Sequence, residues 1–230
     1  QRNGPYLPLK VPDGMLQYMA SVQTASGEPF CGGFLISDWF VITAAHCQLG
    51  NPQSVVLGTH DLNNADDTMR YGIRKCKGHP TFDLSSDIML LKLSRPCPLQ
   101  PVLLPKPGMK VSANDQCSVV GWGSTQTKGS GSRHLRMANV SVIDHKICSN
   151  EWGKFDVKLP EEVICAGGYG TNKGFCQGDS GGPLVCNGTA VGIVSFNYLS
   201  ICDYPTYPNV YTGLNKFLPW ITNALAKNDC

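Results

Sequence analysis

Apolar and polar positions alternate along this chain in short runs separated by glycine, proline, asparagine and aspartate. The apolar runs are rich in β-branched residues and show no helical periodicity. Many short strands between turn residues are typical of an antiparallel sandwich or barrel. The predicted strands are LQYMASVQ, FCGGFLIS, WFVITAA, SVVLG, DIMLLKL, QCSVVGWG, MANVSVI, GPLVC, AVGIVSF and NVYTGL.

One segment near the C-terminus departs from this pattern. Proline is tolerated in the first turn of a helix, so a helix is predicted to begin near Pro219. In the stretch NKFLPWITNALAKN, apolar side chains recur at helical intervals at Phe217, Trp220, Ile221 and Leu225.

The length of the chain fits one large all-β domain or two smaller units that share an interface. It has 230 residues, of which 42% are hydrophobic. The stretch PCPLQPVLLPKPG, residues 96–108, contains five prolines and lies between two strand-rich halves. It is predicted to be a strap that joins two barrels.

Charge and hydropathy exclude some partners. The net charge is +2, so no electrostatic affinity for nucleic acid or a membrane surface is expected. No apolar run approaches the roughly 20 residues of a membrane span. The N-terminal QRNGPYLPLK has no signal-peptide core, so a secreted chain would be present here in processed form.

Cysteine usage indicates an oxidising compartment. Eleven cysteines are spread along the chain without the CxxC pairs typical of zinc sites. Sequons begin at Asn139 and Asn187 and are compatible with glycosylation in the secretory pathway. Because the cysteine count is odd, at least one thiol must be free or paired outside this chain.

Three stretches contain residues suited to nucleophilic catalysis. TAAHC places His46 after an apolar strand, SSDIMLLKL places Asp87 before another, and GDSGGP places Ser180 in a glycine-rich turn. A serine hydroxyl needs a base to take its proton, and a histidine base works best when a carboxylate orients it. Separately, the same residues would be interpreted as a structural histidine, a strand cap and a turn serine. Their conjunction favours a catalytic set.

These motifs, in this order and separation, resemble those of the chymotrypsin-type serine peptidases. The similarity extends from QYMASVQ at residue 17 to the C-terminal helix, and CGGFLIS, GWG and DIMLLKL resemble the granzyme and mast-cell protease branch most. The resemblance implies an all-β fold of two six-stranded antiparallel β-barrels with a C-terminal α-helix. Within a single peptidase domain, 1–230, it places the N-terminal barrel at 17–105, the C-terminal barrel at 110–215 and the helix at 216–230.

The resemblance also implies a site and a set of disulfides. His46, Asp87 and Ser180 would form the triad in the cleft between the barrels, and the amides of Gly178 and Ser180 the oxyanion hole, with no metal or cofactor. The implied disulfides are Cys31–Cys47, Cys117–Cys186, Cys148–Cys165 and Cys176–Cys202. Cys76, Cys97 and Cys230 match no family pair. A Cys76–Cys97 bridge and a dimer linked through Cys230 are both compatible with the sequence.

The start of the chain departs from the family pattern. Active members begin with an Ile-Val-Gly-Gly-type terminus whose ammonium pairs with the aspartate before the nucleophile, here Asp179. That start should fall near residues 5–7, where the sequence reads GPYLPLKV. Without an ammonium, Asp179 must remain in water or find another partner, since an unpaired buried carboxylate is strongly disfavoured. A zymogen-like arrangement of residues 178–180 with an imperfect oxyanion hole is therefore expected.

The specificity pocket departs from the pattern as well. The family residue at its floor corresponds to Gly174, so selectivity for basic side chains is not expected. Phe175 is bulkier than the usual neighbour. The family wall SWG corresponds to Ser195, Phe196 and Asn197, and Asn209 replaces a second wall glycine. The two asparagines and Phe175 are predicted to narrow the pocket, unless the loop shifts to make room.

Two functions remain open at this point. One is a secreted or granule-stored serine endopeptidase, weakly active or zymogen-like in this form, with polypeptide substrates and a serpin-type inhibitor among its partners. The other is a catalytically silent homologue that acts by binding a protein, as a monomer or a disulfide-linked dimer. An adhesion sandwich with chance motifs does not explain three ordered catalytic motifs.

Overall fold

Antiparallel strands make up most of the regular structure of the chain. The computed structural model describes residues 7–76, 83–202 and 206–229, and these contain thirteen strands and two α-helices. Six strands close into a first barrel in the order β2-β3-β4-β7-β6-β5. Their bounds are β2 Met19–Gln23, β3 Pro29–Ser37, β4 Phe40–Thr43, β5 Ser54–Leu57, β6 Arg70–Lys75 and β7 Met89–Leu93.

A second barrel follows in the chain. Its sheet runs β9-β10-β13-β12-β11-β8 and closes through pairing of β8 with β9, while the short strand β1, Leu9–Lys10, pairs with Arg136 and Met137 of β9. The two-barrel expectation is therefore confirmed. The bounds are β8 Gln116–Gly121, β9 Arg136–Ile143, β10 Val163–Ala166, β11 Pro183–Cys186, β12 Thr189–Phe196 and β13 Val210–Gly213.

Each barrel is filled by the inward-facing side chains of its own strands. Phe34, Phe40 and Ile42 are at most 1% exposed in the first barrel, and Val119, Leu184 and Val194 are fully buried in the second. Burial of one such side chain contributes about 1.5–3 kcal/mol. The apolar runs are β-branched because such residues pack well on a pleated surface.

The C-terminal helix forms where its periodicity predicts it. Helix α2 is Leu218–Lys227, with Pro219 in its first turn and Asn228 in the left-handed conformation as its C-cap. Phe217 and Ile221 lie in the first-barrel core, and Trp220 and Leu225 pack against it. The helix therefore returns from the second barrel to the first.

Helix α1, His145–Gly153, was not predicted from the apolar pattern. It buries only Cys148 and Trp152, one turn apart. The signal for it is Asp144, an N-cap whose side chain accepts from the amides of Lys146 and Ile147.

The proline-rich strap connects the two barrels, as its composition predicts. The amide of Val102 donates to Leu35 O in the first barrel at 3.0 Å, and Leu103 O accepts from the amide of Ala190 in the second at 2.9 Å. Successive strap residues are thus fixed to different barrels. None of the described helices is long and apolar enough to cross a membrane.

All four implied disulfides are present: Cys31–Cys47, Cys117–Cys186, Cys148–Cys165 and Cys176–Cys202. The Cys76–Cys97 alternative is wrong. Cys97 is a free, fully buried thiol in contact with the side chain of Tyr71, whereas Cys76 is disulfide-bonded. Cys230, and any dimer through it, lies outside the described residues.

Close strand packing predicts a strong effect of adding one methyl group at Gly33. A Cβ there would lie 2.8 Å from the backbone oxygen of Ile42 and 3.0 Å from a methyl of Val41. We expect Gly33→Ala to lower the free energy of unfolding by about 1–3 kcal/mol, measured by chemical denaturation with the disulfides intact.

Gly153→Ala is the matched control, because a Cβ at the end of α1 meets nothing within 4 Å. It should raise the free energy of unfolding by about 0.5–1 kcal/mol. Equal stability of Gly33→Ala and the wild type would contradict the packing described for β3 and β4.

Candidate active site

Strand register brings His46 and Asp87 together. Strands β4 and β7 are antiparallel neighbours, and the last residue of β4, Thr43, pairs with the first of β7, Met89. The chain just after β4 therefore lies beside the chain just before β7. His46 Nδ1 is 2.6 Å from Asp87 Oδ2, and the backbone amide of His46 donates to Asp87 Oδ1 at 2.9 Å.

A third donor completes the surroundings of Asp87. Ser195 Oγ donates to Asp87 Oδ2 at 2.7 Å. Burial alone would raise the pKa of Asp87, but the hydrogen bonds and charge of His46, with the bond from Ser195, hold that pKa below its ordinary value. An ionised carboxylate at Nδ1 favours the tautomer with its proton there, so Nε2 is the acceptor. The contact between Ser195 and Asp87 was missed in the sequence, where Ser195 was assigned only to the pocket wall.

The turn around Ser180 belongs to the second barrel. It directly precedes β11, which pairs with β12, the strand that contains Ser195. Ser180 O accepts from the amide of Gly32 at 2.8 Å, a bond that joins the two barrels. Gly181 has a φ of +85°, and a Cβ there would lie 2.2 Å from Thr43 Oγ1, so only glycine fits.

The predicted oxyanion donors are available. Within the described part of the chain, neither the Gly178 amide nor the Ser180 amide donates to another group. The flanking amides are engaged: Asp179 N donates to Cys176 O at 3.1 Å and Gly181 N to Val194 O at 2.9 Å. The fixed turn thus leaves two N–H groups for an incoming anion.

Asp179 finds its partners in the backbone. Its side chain is fully buried, with Oδ1 accepting from Gly123 N at 2.8 Å and Oδ2 from Cys176 N at 2.9 Å. No Lys, Arg or His among the described residues pairs with it. Burial raises the pKa of Asp179 to about 7, and the two amide bonds offset only part of that rise. The expected zymogen-like segment rested on an unpartnered carboxylate, and this carboxylate is partnered.

The GWG motif explains how a carboxylate fits in this place. A Cβ at Gly121 would lie 2.0 Å from Asp179 Oδ1, and one at Gly123 would lie 2.4 Å from Asp179 Cγ. Trp122, between them, is 6% exposed and packs with the first-barrel residues Met19 and Val56. The two glycines therefore leave space for the Asp179 side chain, and Trp122 packs between the two barrels.

One cavity of about 630 Å³ contains the candidate catalytic side chains together with part of the predicted pocket. Phe175 is 3% exposed, and its ring contacts that of Tyr211 edge to face at 5.3 Å. The described residues that line the cavity are His46, Asp83, Leu84, Asp87, Phe175, Cys176, Gln177, Ser180, Ser195, Phe196, Asn197 and Ser200.

Two predicted pocket residues do not line this cavity. Gly174 is buried, and Asn209 is fully buried behind Phe175, where its Oδ1 accepts from the Phe175 amide at 3.2 Å. Asn209 was predicted to narrow the pocket together with Asn197 and Phe175; it does so only indirectly here, because its side-chain oxygen accepts from the backbone of Phe175. Phe175 and Asn197 remain at the cavity surface.

The remaining candidate features lie elsewhere. Asn139 is exposed on β9, and Asn187 is exposed in the turn between β11 and β12. Among the described residues, one cluster has metal-ligand types, but both of its sulfurs are engaged in the Cys31–Cys47 disulfide beside His46.

Comparison with known proteins identifies the family. The family model described as Trypsin matches residues 10–221, and the chain belongs to this family. Serine protease 1 of Rattus norvegicus is 37% identical, covering 94% of this chain and 88% of that protein. Mast cell protease 3 of Ovis aries is also 37% identical, covering 90% and 84%. At equal identity these relatives do not single out the granzyme and mast-cell branch.

A solved structure supports the same conclusion. Neuropsin, a serine protease expressed in the limbic system of mouse brain, superposes with a TM-score of 0.83. It is 29% identical, and the superposition covers 94% of this chain and 98% of the neuropsin chain.

Burial of Asp179 predicts a distinctive pH dependence of stability. The folded protein keeps this proton up to about pH 7, whereas an ordinary aspartate releases it near about pH 3.9. Between these values the folded state binds more protons, so the free energy of unfolding must fall as pH rises. Asp179→Asn should abolish that fall, which is expected on the order of a few kcal/mol.

Chemical denaturation of both proteins from pH 4 to pH 8 tests this. Asp13→Asn, at an exposed position, is the matched control and should follow the wild type. A wild-type stability that keeps a constant difference from Asp179→Asn over this range would show that Asp179 is ionised in the folded protein.

Proposed function

We propose that this chain is a serine endopeptidase that cleaves polypeptides through an acyl-enzyme. The observation that carries the proposal is the His46–Asp87 pair in one cavity with Ser180. His46 Nε2 takes the proton of Ser180 Oγ as that oxygen attacks the substrate carbonyl carbon. The imidazolium then gives the proton to the leaving amine, and a water molecule, deprotonated by the same nitrogen, releases the acid product.

The free amides support stabilisation of the tetrahedral intermediate in this mechanism. The anionic oxygen of the tetrahedral intermediate accepts from Gly178 N and Ser180 N, neither of which donates elsewhere in the described part of the chain. Loss of one such donor typically lowers the rate by about 10²–10³-fold. Because Asp179 is held by two backbone amides, we favour a competent enzyme over the weak or zymogen-like form that the N-terminal sequence implied.

Secretion or granule storage belongs to the same proposal. Four disulfides support an oxidising compartment, and exposed Asn139 and Asn187 are accessible for glycosylation. A serpin-type inhibitor would be captured at the acyl-enzyme step.

Covalent labelling tests the nucleophile directly. A fluorophosphonate should label the wild type at Ser180 and should not label Ser180→Ala or His46→Ala. Cleavage of a casein-type polypeptide should fall on the order of 10⁴–10⁶-fold in Ser180→Ala.

Ser200→Gly is the matched control for this experiment. Ser200 lines the same cavity and has a φ of +57°, which suits glycine. The variant should keep both label and activity. A folded wild type that takes no label and cleaves nothing would contradict the peptidase proposal and favour the silent homologue.

The filled base of the cavity supports a preference for small, uncharged side chains next to the cleaved bond. Phe175 occupies the position where a deep pocket needs space, and its ring is fixed by Tyr211. Among the described residues that line this cavity, the charged or titratable ones are Asp83, Asp87 and His46, and the last two are assigned to the triad.

Replacement of Phe175 tests this preference. Phe175→Ala should raise kcat/KM for peptides with Phe or Tyr at the cleaved bond, relative to peptides with Ala, by about tenfold or more. Phe175→Leu should show a smaller rise in the same direction. The ratio of the two kcat/KM values is measured because it is independent of the amount of folded enzyme, and an unchanged ratio would remove Phe175 from the specificity pocket.

A further inference from the structure

The partner of one disulfide-bonded cysteine follows from the number of cysteines in the chain. The sequence contains eleven cysteines. Eight of them form the four described disulfides, and Cys97 is a free thiol. Cys76 is nevertheless disulfide-bonded. The count leaves Cys230, which lies outside the described residues, as the cysteine of this chain that can be its partner.

The burial of Cys76 argues against a partner in another molecule. The residue is 3% exposed and belongs to the first-barrel core. Its amide donates to Leu90 O at 3.1 Å, which extends the pairing of β6 with β7 beyond the end of β6. A disulfide needs Cα atoms about 4.4–6.8 Å apart, so a second molecule could supply the sulfur only if this part of the barrel opened.

The chain just beyond helix α2 is fastened close to Cys76. Arg74 of β6 forms an ion pair with Asp229, and Lys92 of β7 donates to Asn228 O. Arg74 and Lys92 lie directly opposite each other in the register of β6 and β7. Both cations of one cross-strand pair thus contact two consecutive residues beyond α2, near the end of β6.

Electrostatics and backbone geometry explain why this segment lies there. Like charges directly opposite each other in a sheet are unfavourable. The Asp229 carboxylate and the carbonyl end of α2, which carries a partial negative charge, compensate the two cations. Asn228 is the left-handed C-cap of α2, and the amide of Asp229 donates to Ala224 O at 3.3 Å. Residue 229 therefore has a fixed position, and the Cα atom of the next residue is about 3.8 Å from its own.

We propose that Cys76 and Cys230 form a fifth intrachain disulfide, which ties the end of α2 to the end of β6. Its formation removes two electrons and two protons from the two thiols. Glutathione disulfide in the oxidising compartment accepts them by thiol–disulfide exchange and is released as two glutathione thiols.

The bond closes a loop that contains the whole second barrel. Helix α2 returns from that barrel to the first, and its apolar side chains Phe217 and Ile221 at this end of the chain lie in the first-barrel core. A covalent link beyond the last turn of α2 keeps the helix docked there. This role does not depend on the proposed peptidase activity.

Disulfide mapping of the oxidised 230-residue chain is the direct test. Free thiols are alkylated with N-ethylmaleimide in denaturant without a reductant, and the protein is digested at acidic pH so that disulfides do not exchange. We expect a linked peptide pair that contains Cys76 and Cys230, and alkylation of Cys97 alone. A bond from Cys76 to any other cysteine, an alkylated Cys76 or Cys230, or a dimer linked through Cys230 would overturn the proposal.

Serine variants give a second test by the same alkylation. Cys230→Ser should add Cys76 to the alkylated cysteines, and Cys76→Ser should add Cys230. Cys97→Ser is the matched control, which should lose the Cys97 label and keep the linked peptide pair. A variant Cys230→Ser in which Cys76 stays protected from alkylation would show that Cys76 has a different partner.

Thermal unfolding measures what the bond contributes to stability. Loss of a disulfide that closes so long a loop should lower the Tm of Cys230→Ser by roughly 5–10 °C. One bond cannot be lost twice, so the double variant Cys76→Ser/Cys230→Ser should have the Tm of Cys76→Ser alone. Asp229→Asn, which removes the exposed ion pair and keeps both sulfurs, is the control and should change the Tm by no more than about 2–3 °C. An unchanged Tm in Cys230→Ser, or an additive loss in the double variant, contradicts the proposal.

Discussion

The buried carboxylate of Asp179 constrains the rest of the site. A carboxyl group taken out of water needs hydrogen-bond partners, and here the amides of Gly123 and Cys176 donate to its two oxygens. Those two bonds fix the residue directly before Ser180. The amides of Gly178 and Ser180, on either side of Asp179, donate to no other group in the described part of the chain. The position of one acid therefore bears directly on whether the proposed oxyanion donors are free to bind an anion.

The remaining groups of the candidate active site are positioned by antiparallel pairing. The paired ends of β4 and β7 bring His46 to Asp87, and those of β11 and β12 bring Ser195 near the Ser180 turn. Each of these two arrangements forms within a single barrel. The Gly32–Ser180 backbone bond and the Ser195–Asp87 bond then join the two halves. A loop-borne site gains the precision of two rigid barrels in this way.

Ten strands and the C-terminal helix could be predicted from the sequence because their signals are local. Strands β1, β6 and β10 were missed because LK, RYGIRK and VICA are short or mixed in polarity. Helix α1 was missed because it buries only two residues. The partner of Asp179 could not be predicted, since it depends on amides that are distant in sequence and on the absence of two Cβ atoms. Likewise the contact of Ser195 with Asp87 joins residues 108 positions apart.

Two departures from the family pattern, Phe175 and Asn209, depend on one another. The Asn209 side chain accepts the Phe175 amide, so it fixes the backbone that presents the ring. A glycine in place of Asn209 would leave that buried amide without this acceptor, at a cost of about 1–3 kcal/mol. A small residue in place of Phe175 alone would leave Asn209 fully buried behind an empty space. Phe175 and Asn209 therefore form a coupled pair, because the backbone position of one depends on the side chain of the other.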